Sequence, residues 1–279
     1  MQNDGSPLRS DRRFSDPFDR GFLQLLGLPL VLFIVIPLAA LLLRVPYQDF
    51  FETVKTTQVK QAIQLSLYTS TISMLITVIA GTPVAYMLAR SRSRGIQIID
   101  TIIDLPTVLP PAVAGVALLM AFGRRGLVGV WLAEMGITIP FTETAVIMAQ
   151  IFVASPFFIK SAAIGFSAIR VELMEAAALD GANRWQTFWH ISLPLARISM
   201  LSGGVMTWAR ALGEFGATII FAGNFPGRTQ TMPLAIYVGF ELDLDTALML
   251  SFILICFAFL TLLLVKYILN RTTDRSEQG

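Results

Sequence analysis

Residues 21–43 form an unbroken run without a single charged side chain. At 1.5 Å per residue a helix over this run reaches roughly 34 Å, enough to cross a bilayer with some tilt. A cleaved signal peptide usually holds only ~7 to 15 apolar residues. Four acidic residues also precede the run, so a retained span is the better reading. Five further stretches are comparably apolar, at 62–88, 98–122, 144–166, 198–221 and 246–269, the first free of charge and the others with one or two charged residues each. Charged residues make up only 14% of the chain, against roughly 25% in soluble domains. The chain therefore reads as an all-α, polytopic membrane protein with six transmembrane helices.

The basic residues set its orientation. With the N-terminus in the cytoplasm, fourteen lysines and arginines fall on the cytoplasmic side and six outside, with Arg210 inside a span. That bias places both termini in the cytoplasm. Residues 1–20 mix Arg9, Arg12, Arg13 and Arg20 with aspartates, have little to bury, and read as a disordered cytoplasmic tail. Residues 21–270 then form the membrane domain and 271–279 a short cytoplasmic tail. The lone Cys256 excludes a disulfide framework, and with His190 as the one histidine neither a His/Cys zinc cluster nor an HExxH motif can be built. His190 has no catalytic partner in the pattern, and Cys256 reads as apolar packing.

Two of the spans look interrupted. The third carries Pro106, Pro110, Pro111 and Gly115, and each proline removes a backbone donor and crowds the preceding turn, so a kink or unwound stretch is expected. The fifth carries Gly203, Gly204, Gly213 and Gly216 with Ser199 and Ser202. Such small residues let helices approach closely, either inside one bundle or at a subunit interface or pore.

Between spans four and five, residues 170–194 are too polar for the membrane but strongly helical in pattern. Glu172 to Leu179 are good helix formers, Asp180-Gly181 supplies a stop, and Asn183 can cap a second helix. Arg184, Trp185, Phe188, Trp189 and Ile191 give that helix a bulky surface, and Pro194 is expected to end it. Taken alone, this describes a hairpin lying on the inner leaflet with its tryptophans at the interface.

The spacing is sharper than that. Glu175-Ala176-Ala177, three residues, Gly181, nine residues, then Ile191-Ser192-Leu193-Pro194 resembles, without a gap, the signature of ABC importer permeases. In that family the segment docks into a groove on the ATPase subunits. Residues 105–115 and 122–126 are similar to the third span and following loop of molybdate-type permeases. Arg210-Ala211-Leu212-Gly213-Glu214, running on to Gly227-Arg228-Thr229, is similar to their fifth span and outer loop. Sulfate and thiosulfate permeases share the Arg-Ala-Leu-Gly-Glu core and are the alternative.

The resemblance implies a type I ABC importer permease fold in the cytoplasmic (inner) membrane, with coupling through Glu175, Ala176, Ala177, Gly181, Arg184, Ile191, Leu193 and Pro194. It also implies a second copy of the chain, two ATPase subunits that hold the ATP and Mg, and an external or periplasmic oxyanion-binding protein. The permease itself is then not an enzyme and carries no cofactor. No Gly-Lys pair occurs in the chain, so a GxxxxGK[ST] phosphate loop is absent. Molybdate and tungstate, both tetrahedral dianions, are not separated at this level.

The remaining candidates come from the residues themselves. Arg210 and Glu214 lie four apart on one helical face, where each neutralises the other or the two form a gate together with Pro110 and Pro111. Arg124, Arg125 and Arg228, on the outer side, suit docking of an acidic binding protein or attraction of a dianion. Asp100 and Asp104 read as a helix N-terminal pair. No nucleic-acid partner is expected. A membrane enzyme is disfavoured because Arg210 and Glu214 are essentially the only ionisable groups deep in a span. A gradient-driven transporter is disfavoured because no internal repeat is visible.

Overall fold

The computed structural model describes residues 17–48, 50–91 and 93–276, with side chains for 25–48, 50–91 and 93–268. The expected tail at 1–20 lies outside the described residues except for 17–20, which begin a helix. The described residues are helical, with no strand among them. The described residues divide after Val45 into two compact units.

The first unit holds α1 (Pro17–Arg44), and its part from Leu25 onward is long and apolar enough to span a membrane. Its described side chains are almost all exposed, as suits a helix solvated by lipid tails.

The second unit is built on three long helices: α3 (Thr57–Arg90), which follows the short α2 (Phe50–Lys55), then α7 (Glu143–Ser167) and α10 (Leu193–Leu212). Small residues set how closely they approach. A Cβ on Gly81 of α3 would stand 3.0 Å from the Phe158 ring of α7, and one on Gly203 of α10 would stand 2.7 Å from Ser161 Cβ. Gly165 of α7 meets Ser199 of α10 in the same way. Gly203 and Ser199 of the fifth span thus pack helices within one chain, whereas Gly213 is exposed.

Buried hydroxyls thread this bundle. Ser66, Thr69, Ser70, Ser73 and Thr77 line one face of α3, all buried, and two of them, Thr69 and Ser73, bond the buried Gln150 of α7. Gln150 Nε2 donates to Thr69 Oγ1 at 3.1 Å, and Ser73 Oγ donates to Gln150 Oε1 at 2.9 Å. Between membrane helices such a bond contributes about 0.6 kcal/mol.

The expected third span is two helices, α4 (Arg94–Val108) and α5 (Pro111–Phe122), bent by 118° at their junction. The cause is local: a residue before proline avoids the helical region, and Leu109 and Pro110 both precede prolines. Both are extended, at ψ 136° and 134°. The fifth stretch is also not one helix. α10 stops at Leu212, residues 213–215 break it, and α11 (Gly216–Phe221) follows. After a loop come α12 (Met232–Leu242), a short apolar helix that the sequence reading did not separate, and α13 (Leu244–Ser276). The helix α13 runs into the stretch expected as a C-terminal tail.

Among the described residues, four helices are long and apolar enough to cross a membrane, or five if the bent pair counts as one. The six expected spans thus correspond to four clear ones, one bent pair, and α10, whose arginines, glycines and serines dilute its apolar character. The short α6 (Gly129–Glu134) sits in the loop between α5 and α7.

Candidate functional site

The hairpin after α7 is specified by its own residues. Its first arm is α8 (Val171–Leu179). Gly181 follows at φ +85°, and the N–H of Ala182 donates to the Ala177 carbonyl while that of Gly181 donates to Ala178. This pair of bonds is the Schellman C-cap, which needs a left-handed residue where Gly181 stands. A Cβ there would touch nothing within 4 Å, so the requirement is one of backbone angle and not of space.

The second arm opens with Asn183, whose Oδ1 accepts from the Gln186 N–H at 2.9 Å while Gln186 Oε1 accepts from the Asn183 N–H at 2.8 Å. This reciprocal capping box starts α9 (Arg184–Thr187). Pro194 then departs from expectation, because it ends nothing. It lies in the first turn of α10, and a π-helical turn (Phe188–Ser192) joins α9 to α10 without a gap. Proline has no N–H to give the preceding turn, and the wider turn, in which Leu193 donates to the Phe188 carbonyl, absorbs the mismatch. The second arm and the span after it are one helix from Arg184 to Leu212.

Glu175, Ala176, Gly181, Arg184 and Pro194 are exposed, Ile191 and Leu193 half-buried, and Ala177 buried. The outer surface of the hairpin is apolar as well as charged: Leu179, Trp185 and Trp189 remain 89%, 69% and 47% exposed. Its inner side is an aromatic joint. Tyr86 near the end of α3 meets Phe188 edge-on at 5.0 Å and Phe166 of α7 at 5.3 Å. These rings join the hairpin to α3 and α7, and the unbroken helix joins it to α10.

At the far end of α10, the two breaks meet. Arg210 Nη1 lies 2.8 Å from Glu214 Oε2, and Glu214, 1% exposed, also accepts the Ala217 N–H through Oε1 at 2.8 Å. The carboxylate therefore holds the arginine and caps the start of α11 at once. Gly216 packs on Pro111, where an added Cβ would stand 2.5 Å from the proline Cβ, and Gly115 packs on Ala217 and Ile220. Pro111, Arg210 and Glu214, grouped with Pro110 as one candidate set in the sequence, come together here through Gly216.

Arg124, Arg125 and Arg228 are exposed, and among the described residues no ion pair engages them. Arg228 follows Gly227 (φ +74°) in a tight loop in which the Phe225 carbonyl accepts from the N–H groups of Arg228, Thr229 and Gln230. Asp100 and Asp104 are not a helix N-terminal pair. They lie midway along α4 and clamp Lys160 of α7 at 2.6 and 2.8 Å. The one-turn spacing was visible in the sequence, but the partner 60 residues away was not. Among the described residues no His/Cys/Asp/Glu group suits a metal ion.

With this geometry in place, likeness to known proteins is decisive for class. Residues 81–274 match the family of binding-protein-dependent transport system inner membrane components, and the chain belongs to that family. It is a multi-pass transporter permease. Molybdenum transport system permease protein ModB of Mycobacterium tuberculosis is 40% identical over 233 residues, covering 84% of this chain and 88% of that protein. Sulfate transport system permease protein CysW of Synechococcus elongatus is 33% identical, covering 92% of each. A bacterial alginate ABC transporter, solved with a pentasaccharide-bound periplasmic protein, shares the fold at a TM-score of 0.72 and 20% identity, over 92% of this chain and 96% of that one.

Proposed function

We propose that this chain is the membrane subunit of an ATP-driven importer that moves a tetrahedral oxyanion, molybdate or tungstate, across the cytoplasmic membrane. The observation that carries the proposal is the 171–194 hairpin. It presents a rigid, exposed, partly apolar surface and continues without interruption into α10. Two copies of the chain would each receive one ATPase subunit on that surface, and the ATPases would hold the ATP and Mg. The hairpin is then a lever. A push on α8 and α9 moves α10, whose far end carries the Glu214 cap and, through Gly216 and Gly115, the bent pair α4 and α5. The two helix breaks are the gate in this reading, with Arg210 and Glu214 as its polar wall.

The hairpin lies in the cytoplasm, with both termini. Arg124, Arg125 and Arg228 face the outside, where they receive an anion-carrying binding protein. The relatives named for molybdenum transport support the substrate. The sulfate permease relative, which matches nearly the whole chain, keeps sulfate or thiosulfate as the second reading.

Uptake of labelled molybdate by vesicles holding the complete complex tests this. Uptake is expected to require ATP, to stop with vanadate, and to be blocked by tungstate well before sulfate. Sulfate competing as strongly as tungstate transfers the assignment to the second reading. ATP-independent uptake rejects the importer itself.

A further inference from the structure

A cavity of about 370 Å³ opens between the end of α3 and the hairpin. Tyr86 and Arg90 line it from α3, Met174 and Ala178 from α8, and Arg184 and Thr187 from α9. Two arginines, the half-buried Arg90 and the exposed Arg184, thus line one space with no carboxylate among its lining residues. Arg90 is half-buried, its Cζ lies 5.7 Å from the Tyr86 ring centroid, and its Nε and Nη2 are enclosed without a hydrogen-bond partner. Among the described residues neither arginine takes part in an ion pair. Two like charges at one cavity, one of them partly desolvated, are unfavourable until an anion sits between them.

We propose that this cavity binds the phosphate of an anionic phospholipid headgroup between Arg90 and Arg184. Position and size both favour a lipid. Arg90 is the last residue of α3, one of the membrane-spanning helices, so its guanidinium lies at headgroup depth. The volume equals roughly a dozen waters, well beyond a lone tetrahedral oxyanion. The apolar part of the lining, Met174, Ala178 and the Tyr86 ring, suits the glycerol and first methylenes behind a phosphate. A lipid held there bridges α3 to both arms of the hairpin, so the lipid composition of the membrane sets how firmly the hairpin is seated. The inference rests on α3 crossing a bilayer, whatever the transported substrate.

Native mass spectrometry of the full chain, taken from nanodiscs of phosphatidylglycerol or of phosphatidylcholine, tests it. Phosphatidylglycerol adducts are expected on the unmodified protein, and phosphatidylcholine adducts are not. Arg90→Gln and Arg184→Gln are each expected to weaken retention about fivefold or more, as removal of one basic contact to an anionic lipid does. Arg94→Gln and Arg197→Gln, which remove equal charge near the same end but outside the cavity, retain the adduct. Undiminished retention in both Arg90→Gln and Arg184→Gln overturns the proposal. Inorganic phosphate or molybdate bound in lipid-free detergent, sensitive to Arg90→Gln and without any phosphatidylglycerol preference, overturns the lipid as the source of the anion. Loss of the lipid when the ATPase is added also overturns it, and hands the two arginines to an acidic side chain of that partner. Failure of molybdate uptake bears on none of these readouts.

Discussion

Gly181 and Gly216 both stand at helix ends, yet the chain needs them for opposite reasons. Gly181 has open space around it and a backbone angle that other residues resist. Gly216 has no left-handed angle, but it has Pro111 pressed against the position of its missing Cβ. The hairpin is thus shaped by short-range rules, in caps and dihedral angles that neighbours in sequence supply. The double break is shaped by long-range ones, since its prolines come from one part of the chain and its glycine and glutamate from another. A part built locally keeps its shape while it moves, which the proposed lever requires. A part built from distant pieces changes shape when they shift, which the proposed gate requires.

The largest expected effect lies at the double break. Glu214→Ala leaves Arg210 without its partner and α11 without its cap, and is expected to cost about 3 kcal/mol, the lower end for a broken buried pair because Arg210 keeps some exposure. Folded protein recovered from membranes measures it. Arg210→Met with Glu214→Gln is expected to restore most of that yield. If the pair is also part of the gate, uptake per ATP hydrolysed stays low in the double variant, whereas recovery of both readouts reduces the pair to mutual neutralisation.

Next comes Gly115→Val, which forces side-chain atoms against Ala217 and Ile220 and is expected to cost about 1–3 kcal/mol through overpacking. A thermal melt in detergent reads this cost. Gly181→Val is expected to cost about 1–2 kcal/mol from backbone strain alone, with uptake lost before insertion. Gly181→Asn, which tolerates the left-handed region, is expected to keep both. Equal losses for valine and asparagine at 181 would break the contrast between angle and space. The smallest effect is Asn183→Ala, which removes the capping box for about 1 kcal/mol and is read as weaker co-purification of the ATPase.

The same division decides what could be seen in the sequence alone. The charge-free runs, the Gly181 turn, the Asn183 cap and the Pro110-Pro111 break were legible because each is encoded within a few neighbouring residues. Lys160 was counted only as a cytoplasmic charge, because its two aspartates lie on another helix. The buried face from Ser66 to Thr77 was hidden inside a run whose average is apolar, and only its spacing of three and four residues marked it as a stripe. Pro194 misled for a related reason. A proline usually stops a helix, and nothing in the residues beside it announced a wider turn that lets the helix continue. The break after Leu212 needed the Glu214 carboxylate to be recognised as a cap rather than only as a partner of Arg210.

The π-helical turn at Phe188–Ser192 also changes how the helix from Arg184 to Leu212 should be drawn. A helical wheel traced straight through it puts one half out of phase by about 100°, the rotation of a single residue. Trp185 and Trp189 therefore do not share an azimuth with the Ser199 and Gly203 face in the way an even count of residues suggests. Deleting one residue from the turn would swing the tryptophan face around the axis while the span behind it stayed in place, and would set Pro194 against an ordinary helical turn that it cannot complete.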